Sequence, residues 1–285
     1  MAEPDALIDD IGPWTEIKLE IIRKYAAAYS TILAKQPYLN HIYVDAFAAS
    51  GLLRSRETGE LVEGSPLVAL NVKPEFSEYH LIELSRSKVS LLRTVVEGRP
   101  NVFVYPGDCN DTLMNTILPR CRYEDYKRAL WLLDPYGLHY RWSVVEAAGK
   151  ARSIEVLLNF PIMDINRTVG QRNPAGVSGR YKDRMTAFWG DDSWQAIVHS
   201  ADGSLFEEFP QKSPGSRIVE AYCQRLKKVA TFPYVAKPLL FAAPANNTPL
   251  YYIVFASHNR AGYNIASDIL RRYRAASPQT LHLEE

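Results

Sequence analysis

The sequence predicts an α/β protein built on one mostly parallel sheet with helices on both faces. Between residues 41 and 161, five short apolar runs alternate with helical segments, and this alternation is typical of parallel strands joined by right-handed crossovers. Two later apolar runs, separated by the turn-rich segment PANNTP, predict an antiparallel hairpin that completes a seven-stranded sheet. The chain has 285 residues, of which 47% are apolar, and is therefore long enough to bury one large core.

The first 40 residues predict a helical extension. From Thr15 onward, apolar residues recur largely at intervals of three and four, which is typical of an amphipathic helix, and the pattern stops before Pro37. The run HIYVDAF (residues 41–47) then predicts a buried strand. We expect this strand to enter a tight turn that ends at Gly51.

A polar stretch over residues 52–64 predicts a flexible loop, after which Ser65 and Pro66 predict the N-cap and the first residue of a short helix. Four further strands are predicted over EYHLIELS (78–85), NVFVYPGD (101–108), RALWLLDPYG (128–137) and SIEVLLNFP (153–161). The helix predicted after the second of these four, NDTLMNTIL, has Asn110 or Asp111 as its expected cap.

The alternation stops at Ile162. Residues 162–213 contain Asn, Pro, Gly and Asp clusters around two short helical patterns, RYKDRMTAFWG and DSWQAIVHS, and this predicts a helical insert. A longer helix then leads to the runs YVAKPLLFAA and PLYYIVFAS, and a terminal helix is predicted over residues 262–276. The predicted organisation is an N-terminal extension (1–40), a main domain in two parts (41–161 and 214–276) and the insert between them.

Composition excludes several classes of protein. Lys and Arg total 33 against 32 Asp and Glu, a formal net charge of +1, which excludes nucleic-acid binding through overall charge and leaves binding through a local patch open. The three cysteines, Cys109, Cys121 and Cys223, lack the spacing of a zinc or redox motif. No run reaches the roughly 18 apolar residues of a membrane span, and the acidic N-terminus lacks a signal-peptide pattern. We therefore expect a cytoplasmic protein with no membrane contact and no metal site.

Acidic side chains follow four successive predicted strands, and an amide follows the next. Ligands of open parallel sheets bind beyond these carboxyl ends, so we expect the polar groups to surround a ligand. The structural alternative is that each acid only caps the helix that follows it. The residues at these strand ends are Asp45, Glu83, Asp108, Asp134 and Asn159.

The turn after the first strand favours an adenosine compound without a pyrophosphate. Gly51 would let the backbone approach a ligand closely, and Glu83 would accept both hydroxyl protons of a ribose. The GxGxxG pattern and the Walker A motif of phosphate-binding loops are both missing from the sequence. Asp45 beneath the turn would repel a pyrophosphate but tolerate a sulfonium or ammonium group.

The tetrapeptide Asp134-Pro135-Tyr136-Gly137 predicts a type I turn. In the functional interpretation, this turn presents Asp134, backbone carbonyls and the Tyr136 ring to a planar amine. The acceptors would orient the N–H group and the ring would stack on the substrate, so that catalysis rests on positioning and electrostatics. Asp134, Pro135 and Tyr136 are the predicted catalytic residues.

The order of elements resembles the Rossmann-like fold of class I S-adenosylmethionine-dependent methyltransferases, in which the seventh strand is antiparallel. HIYVDAFAASG resembles the first motif of that fold, and Glu83 and Asp108 match its ribose acid and its residue beside adenine. DPYG resembles the (Asp/Asn)-Pro-Pro-(Tyr/Phe) motif of amino-methyltransferases. Two positions differ, because Ala49 replaces the first glycine of the turn and Tyr136 replaces the second proline of the motif.

Over residues 15–275 the chain resembles the three-Cys-motif partner family more closely. The matching segments are residues 18–20, 45–51, 64–66, 107–110, 134–137 and 250–252. Members are named for a frequent genomic partner with a three-cysteine motif reminiscent of radical S-adenosylmethionine enzymes. The resemblance implies such a partner and S-adenosylmethionine as the cofactor. The cofactor-binding residues that it implies are Asp45, Phe47, Ala49, Gly51, Glu83, Leu84, Asp108, Cys109 and Asp134.

The leading hypothesis is a methyltransferase that acts on a nitrogen of a nucleic-acid base or another planar amine. The first alternative is a non-catalytic or accessory subunit that works with the three-cysteine partner and binds nucleic acid through basic residues. Nine Lys and Arg follow Pro214, and three more stand beside aromatic residues in the insert. These insert residues are Arg180, Lys182 and Arg184, with Tyr181, Phe188 and Trp189.

The second alternative is a metal-dependent nuclease in which Asp45, Asp108 and Asp134 converge on Mg²⁺. The six histidines stand apart from one another along the sequence, so the sequence offers no additional ligand cluster. Cleavage that depends on a divalent metal would distinguish this alternative from methyl transfer.

Overall fold

The computed structural model describes residues 7–170, 176–199, 214–243 and 247–275. The strands of these ranges are β1 (Asp9–Ile11), β2 (Asn40–Asp45), β3 (Leu52–Ser55), β4 (Leu61–Glu63), β5 (Glu78–Glu83), β6 (Val102–Pro106), β7 (Lys127–Leu133), β8 (Ile154–Phe160), β9 (Tyr234–Val235), β10 (Leu239–Ala242) and β11 (Pro249–Ser257). The α-helices are α1 (Pro13–Leu33), α2 (Ser65–Leu70), α3 (Arg86–Val95), α4 (Cys109–Thr112), α5 (Trp142–Ala151), α6 (Ile162–Thr168), α7 (Gly179–Trp189), α8 (Trp194–His199), α9 (Pro214–Lys228) and α10 (Arg260–Ala275).

The main sheet has the strand order β6-β5-β2-β7-β8-β11-β10. The five strands from β6 to β8 are parallel to one another, and β11 runs antiparallel to both β8 and β10. This is the arrangement expected of a class I methyltransferase-like fold, so the predicted fold class is confirmed. The predicted strand over residues 234–243 is divided into β9 and β10, both of which pair with β11. Pro238 lies between them and has no N–H to donate to the ladder.

Each face of the sheet is covered by helices over its own hydrophobic core. On one face, α1 packs against α2 and α10, and the strands contribute buried side chains such as Tyr43 and Phe255. On the other face, Trp131 and Phe160 belong to the core that also contains side chains of α5, α7 and α9. Every residue of β8 is buried, as expected for a central strand covered on both sides.

Residues 52–64 are not the predicted flexible loop. They form a hairpin in which β3 and β4 are antiparallel, and β3 also pairs in parallel with β1, with Asp9 opposite Leu53. The N–H of Arg56 extends this pairing by donating to the carbonyl of Ile11 at 2.9 Å. The partner strand lies some 40 residues upstream, so the local sequence pattern could not reveal that these polar residues are paired.

Two predicted helix starts are corrected. The N-cap of α2 is Gly64, and Ser65 is already helical. The N-cap of α4 is Asp108 rather than Asn110 or Asp111, because its carboxylate accepts from the N–H groups of both these residues, at 2.9 and 3.3 Å. After α4 the chain continues as one π-helical turn and one 3₁₀ turn before it reaches Cys121.

The insert begins with α6, which the sequence did not predict, and continues with the two predicted helices, α7 and α8. Residues 171–175, 200–213 and 276, which belong to the predicted insert and terminal helix, lie outside the described residues. None of the helices within the described ranges combines the length and the apolar character that crossing a membrane requires.

Candidate functional site

A cavity of about 360 Å³ lies beyond the carboxyl ends of β2, β7 and β8. Its floor is formed by the turn after β2 and by residues 134–136 after β7. Its roof is formed by β1, the first turns of α1 and the hairpin of β3 and β4. This is the edge at which open parallel sheets bind ligands. The aromatic side chains that line the cavity are Trp14, Phe47, Tyr136 and Tyr251.

The turn after β2 depends on left-handed backbone conformations. Ala49 has φ of 50° and Gly51 has φ of 83°, and a left-handed conformation at a non-glycine residue carries a strain cost. The N–H of Gly64 donates to the carbonyl of Gly51 at 2.9 Å. A Cβ atom at Gly64 would lie 2.9 Å from that same oxygen, so this contact fixes the identity of Gly64. Ala49 and Gly51 both line the cavity, and Phe47 lies beside them.

Asp45 lies beneath this turn and is fully buried, so its side chain supports the cavity floor without lining it. Its carboxylate accepts from the N–H of Phe47 at 3.1 Å and from the hydroxyl of Ser65. Burial raises the pKa of Asp45 to about 7, and the hydrogen bonds from Ser65 and Phe47 oppose that shift. The carboxyl therefore changes its charge near neutral pH.

Asp134 lines the cavity, and both of its carboxylate oxygens are engaged. Oδ2 forms an ion pair with Nζ of Lys18 at 2.5 Å, and Oδ1 accepts from Nδ2 of Asn159 at 2.9 Å. Asn159 also donates to the carbonyl of Pro135 at 3.3 Å. Within the described residues, Oδ1 of Asn159 is buried and has no hydrogen-bond partner. The sequence-predicted Asp134, Pro135 and Asn159 thus form one hydrogen-bonded group.

Within the described residues, no backbone hydrogen bond joins Gly137 to Asp134 across the predicted type I turn. The chain bends over residues 136–138, and the N–H of Leu138 donates to Oδ2 of Asp164 at 3.1 Å. Asp164 comes from α6, so a tertiary contact holds this bend. A Cβ atom at Gly137 would lie 2.6 Å from Oδ2 of Asp164, and this close approach explains why a glycine stands there.

Tyr136 projects from this bend with 80% of its surface exposed. Its hydroxyl donates to Oδ2 of Asp9 at 3.2 Å, and the same carboxylate oxygen pairs with Lys88 at 2.5 Å. Asp9 therefore links the strand β1 to the bend and to α3. The phenol ring is held by its hydroxyl while much of the ring stays open to solvent.

The predicted ribose and adenine residues lie at the ends of β5 and β6, outside the described cavity. Oε1 of Glu83 accepts from the N–H of Ser85 at 2.7 Å. The Asp108 carboxylate caps α4. Leu84 is 72% exposed, whereas Cys109 is buried and burial raises the pKa of its thiol to about 12. None of these four residues lines the cavity, and Asp108 lines a separate cleft.

Several residues of the site were missed by the sequence analysis. Lys18 and Trp14 come from α1, Asp9 comes from β1, and Tyr251 comes from β11. The Nζ of Lys18 also lies 5.3 Å from the ring centroid of Tyr251. The residues 18–20 and 250–252 stood out in the family resemblance, and this was the one available indication that they have a role.

The structure does not support the predicted aromatic patch of the insert or the alternative magnesium site. Phe188 and Trp189 are completely buried, so they do not supply the stacking surface predicted for a nucleic-acid patch. Tyr181 of that predicted patch is partly exposed. In the ranges that the structure describes, no three His, Cys, Asp or Glu side chains lie close enough together to hold a metal ion. The predicted convergence of Asp45, Asp108 and Asp134 is therefore wrong.

No known family model matches the chain, and no curated protein matches it either. Among solved structures, the protein LPL1258 from Legionella pneumophila, described by the family model DUF519, aligns with a TM-score of 0.55 at 10% identity, over 92% of this chain and 93% of that one. An O-methyltransferase from Bacillus cereus, solved with S-adenosylhomocysteine (SAH), aligns with a TM-score of 0.37 at 11% identity, over 85% and 90% of the two chains. A SAM-dependent methyltransferase from Leishmania major aligns with a TM-score of 0.36 at 11% identity, over 85% of this chain and 82% of that one. The chain is thus similar in fold to LPL1258 over 92% of its length.

Proposed function

We propose that this protein is a methyltransferase that uses S-adenosylmethionine and transfers the methyl group to a nitrogen atom. The observation that carries the proposal is the cavity between the turn after β2 and the segment Asp134-Pro135-Tyr136 after β7. In a class I methyltransferase-like fold, these two strand ends are where we expect the cofactor and the methyl acceptor to meet.

The residues present fit a cationic adenosine compound. Gly51 at positive φ and the close Gly64 contact keep the backbone of the turn near the cavity. When ionised, the buried Asp45 carboxylate beneath the turn favours a positive charge above it. Glu83 would hold the ribose and the exposed Leu84 side chain would cover the adenine, with Phe47, Ala49, Asp108 and Cys109 around them. When bound, S-adenosylmethionine supplies an electrophilic methyl group on a sulfonium centre.

The residues of this chain would prepare the acceptor nitrogen. The Asp134 carboxylate and the Pro135 carbonyl are adjacent acceptors held by Asn159, and they would accept N–H bonds from an amine and direct its lone pair toward the methyl group. Asp134 would take the proton that the nitrogen loses. The exposed Tyr136 ring would stack on the planar group that carries the amine.

We propose a nucleic-acid base as the acceptor because a separate cleft lined by arginines lies at the same edge of the sheet. This cleft, of about 340 Å³, is lined by Arg141, Arg180 and Arg184 next to Asp108. Nη2 of Arg184 lies 3.5 Å from Oδ2 of Asp164, and Nη1 of Arg141 lies 3.6 Å from Oδ1 of the exposed Asp111. Such arginines would contact the phosphates on either side of a flipped base.

The test is methyl transfer from S-adenosylmethionine with a labelled methyl group to single-stranded RNA, single-stranded DNA and free adenine and cytosine nucleosides. We expect label in a nucleic-acid base, and a loss of at least a hundredfold in methyl transfer for Asp134→Ala. Arg180→Ala should weaken acceptor binding and leave the cofactor affinity unchanged. Failure of the purified chain to bind S-adenosylmethionine in calorimetric titration would contradict the proposal at its first step.

A second candidate function is that of an accessory subunit for the three-cysteine partner implied by the family resemblance. It is favoured by two large exposed side chains, Leu84 after β5 and Tyr136 after β7, which a partner would cover. Under this function, the cofactor would bind with high affinity only when the partner is present. Equal affinity with and without the partner would exclude it.

A further inference from the structure

A second cavity, of about 700 Å³, lies at the opposite end of the main sheet, where β7 and β8 begin and β11 ends. The last turn of α1 and the first turn of α10 complete its walls. The candidate functional site lies beyond the other ends of the same strands. A strand of this length spans roughly 20 Å, so the two cavities are separate.

Three arginines line this second cavity, namely Arg128, Arg152 and Arg260. Within residues 7–170, 176–199, 214–243 and 247–275, none of them forms an ion pair with a carboxylate. Arg128 instead donates to the carbonyl of Lys127 at 2.7 Å, and its guanidinium carbon lies 3.7 Å from the ring centroid of Tyr123. Positive charge is therefore concentrated at this cavity without a described counter-ion.

The one acidic side chain in the lining does not neutralise the arginines. Glu155 is 6% exposed, and its carboxylate accepts from the hydroxyls of Tyr25 and Ser257, the latter at 2.9 Å. Gly262 packs directly on it, because a Cβ atom there would lie 2.7 Å from Oε1. Glu155 is thus a satisfied internal group at the bottom of the cavity.

The remaining lining offers one unused polar group and several phenol rings. Tyr29 is 7% exposed, and its hydroxyl has no hydrogen-bond partner within the described part of the chain. A buried hydroxyl without a partner costs free energy unless a ligand supplies the bond. Tyr38 and Tyr123 are about half exposed at the cavity rim. The first turn of α10 adds a helix N-terminus, which favours an anion.

We infer that this second cavity is a binding site for a nucleotide, with the phosphate held by Arg128, Arg152 and Arg260 and the base packed against the tyrosine rings. The volume exceeds what inorganic phosphate requires and falls within the range of small-molecule sites. Guanidinium groups match phosphate geometry, and phenol rings stack on bases. The nucleotide is either free or part of a nucleic-acid strand, since both present the same phosphate and base.

The test is calorimetric titration of the full chain with adenosine 5′-monophosphate in the presence of saturating SAH, which occupies any adenosine site at the other end of the sheet. We expect saturable binding with Kd below about 1 mM. Adenosine and inorganic phosphate alone should each bind at least about tenfold more weakly. A complete loss of nucleotide binding on addition of SAH, or no saturable binding at any concentration, would overturn the inference.

Matched variants locate the binding. Arg152→Gln and Arg260→Gln should each weaken binding about tenfold, whereas Arg99→Gln, at an exposed position elsewhere, should leave it unchanged. Tyr29→Phe should weaken binding while the urea midpoint stays the same or rises, because the hydroxyl has no partner in the described structure. If the Tyr29 hydroxyl instead stabilises the fold, Tyr29→Phe should lower the urea midpoint. Binding unaffected by all three variants would place the ligand elsewhere and overturn the inference.

A short single-stranded RNA distinguishes the two sources of the nucleotide. The site is assigned to a nucleic-acid strand if the RNA binds more tightly than the mononucleotide and its affinity falls steeply as the salt concentration rises. The RNA should then show the same sensitivity to Arg152→Gln and Arg260→Gln. Preference for the mononucleotide with the same sensitivity assigns it to a free nucleotide. Both results support the site.

Discussion

Nζ of Lys18 lies 2.5 Å from Oδ2 of Asp134, although the two residues are 116 positions apart and come from α1 and from the end of β7. Only 11% of the Lys18 side chain and 16% of the Asp134 side chain are exposed. The pair joins the N-terminal helix to the predicted catalytic segment.

Replacement of Lys18 by Met should lower the free energy of unfolding by about 3 kcal/mol, because it leaves a largely buried carboxylate without its counter-ion. The double variant Lys18→Met, Asp134→Asn should recover most of this loss. Urea unfolding measures both. The control is Lys73→Met, whose ion pair with Glu75 is exposed and should contribute little to stability. Equal losses in the two single variants would show that the Lys18–Asp134 pair contributes no more to stability than an exposed ion pair.

Gly64→Ala should weaken S-adenosylmethionine binding at least about tenfold, because its Cβ would push against the Gly51 carbonyl and displace the turn that lines the cavity. Gly179→Ala is the matched control, since a Cβ at Gly179 meets nothing within 4 Å. Calorimetric titration of both variants tests this expectation. If Gly64→Ala binds with the original affinity, the turn does not form the cofactor site.

Tyr136→Ala should lower kcat/KM for a planar acceptor by about tenfold or more, since stacking on an aromatic ring contributes about 1–3 kcal/mol per base. Tyr136→Phe retains the ring and loses only the hydrogen bond to Asp9, so its activity should stay within a few-fold of the original. Stability should change little in either variant because the ring is exposed. Equal loss of activity in both variants would assign the role to the hydroxyl instead.

The stability of the protein should depend on the two buried carboxyls whose pKa values burial raises to about 7, Asp45 and Glu155. Between the ordinary pKa of about 4 and the folded value, the unfolded chain is ionised while the folded chain retains its proton. Each group therefore lowers the free energy of unfolding as pH rises through this window, by about 1.4 kcal/mol per pH unit at most. Above about pH 7 this contribution is constant.

Asp45→Asn cannot titrate at this position, so its stability should fall less steeply between pH 4 and pH 7 than that of the unchanged protein. Other titrating groups are shared by both proteins, and the difference between the two slopes isolates Asp45. Urea unfolding at several pH values gives the slopes, and parallel curves for Asp45→Asn and the unchanged protein would contradict the assignment.

The sequence by itself determined the fold class and the position of the candidate site. Alternation of apolar runs and helical segments is a local property, and it predicted the seven apolar runs that form the eight strands of the main sheet, with β9 and β10 in one run, because each strand buries its own side chains. The strand ends then followed from the strands, so Asp45, Asp134 and Asn159 were predicted at the edge where they lie.

Tertiary structure decided which of these side chains share a site and with what partners. Lys18 reaches Asp134 across the fold, Asp164 accepts from the N–H of Leu138 beside the predicted turn, and β1 pairs with the hairpin formed by a polar segment. Glu83 and Asp108 have similar positions in the sequence pattern, but each is committed to a backbone N–H at its own strand end. These contacts join residues far apart in the chain, and such pairings depend on the packing of whole elements rather than on any local periodicity.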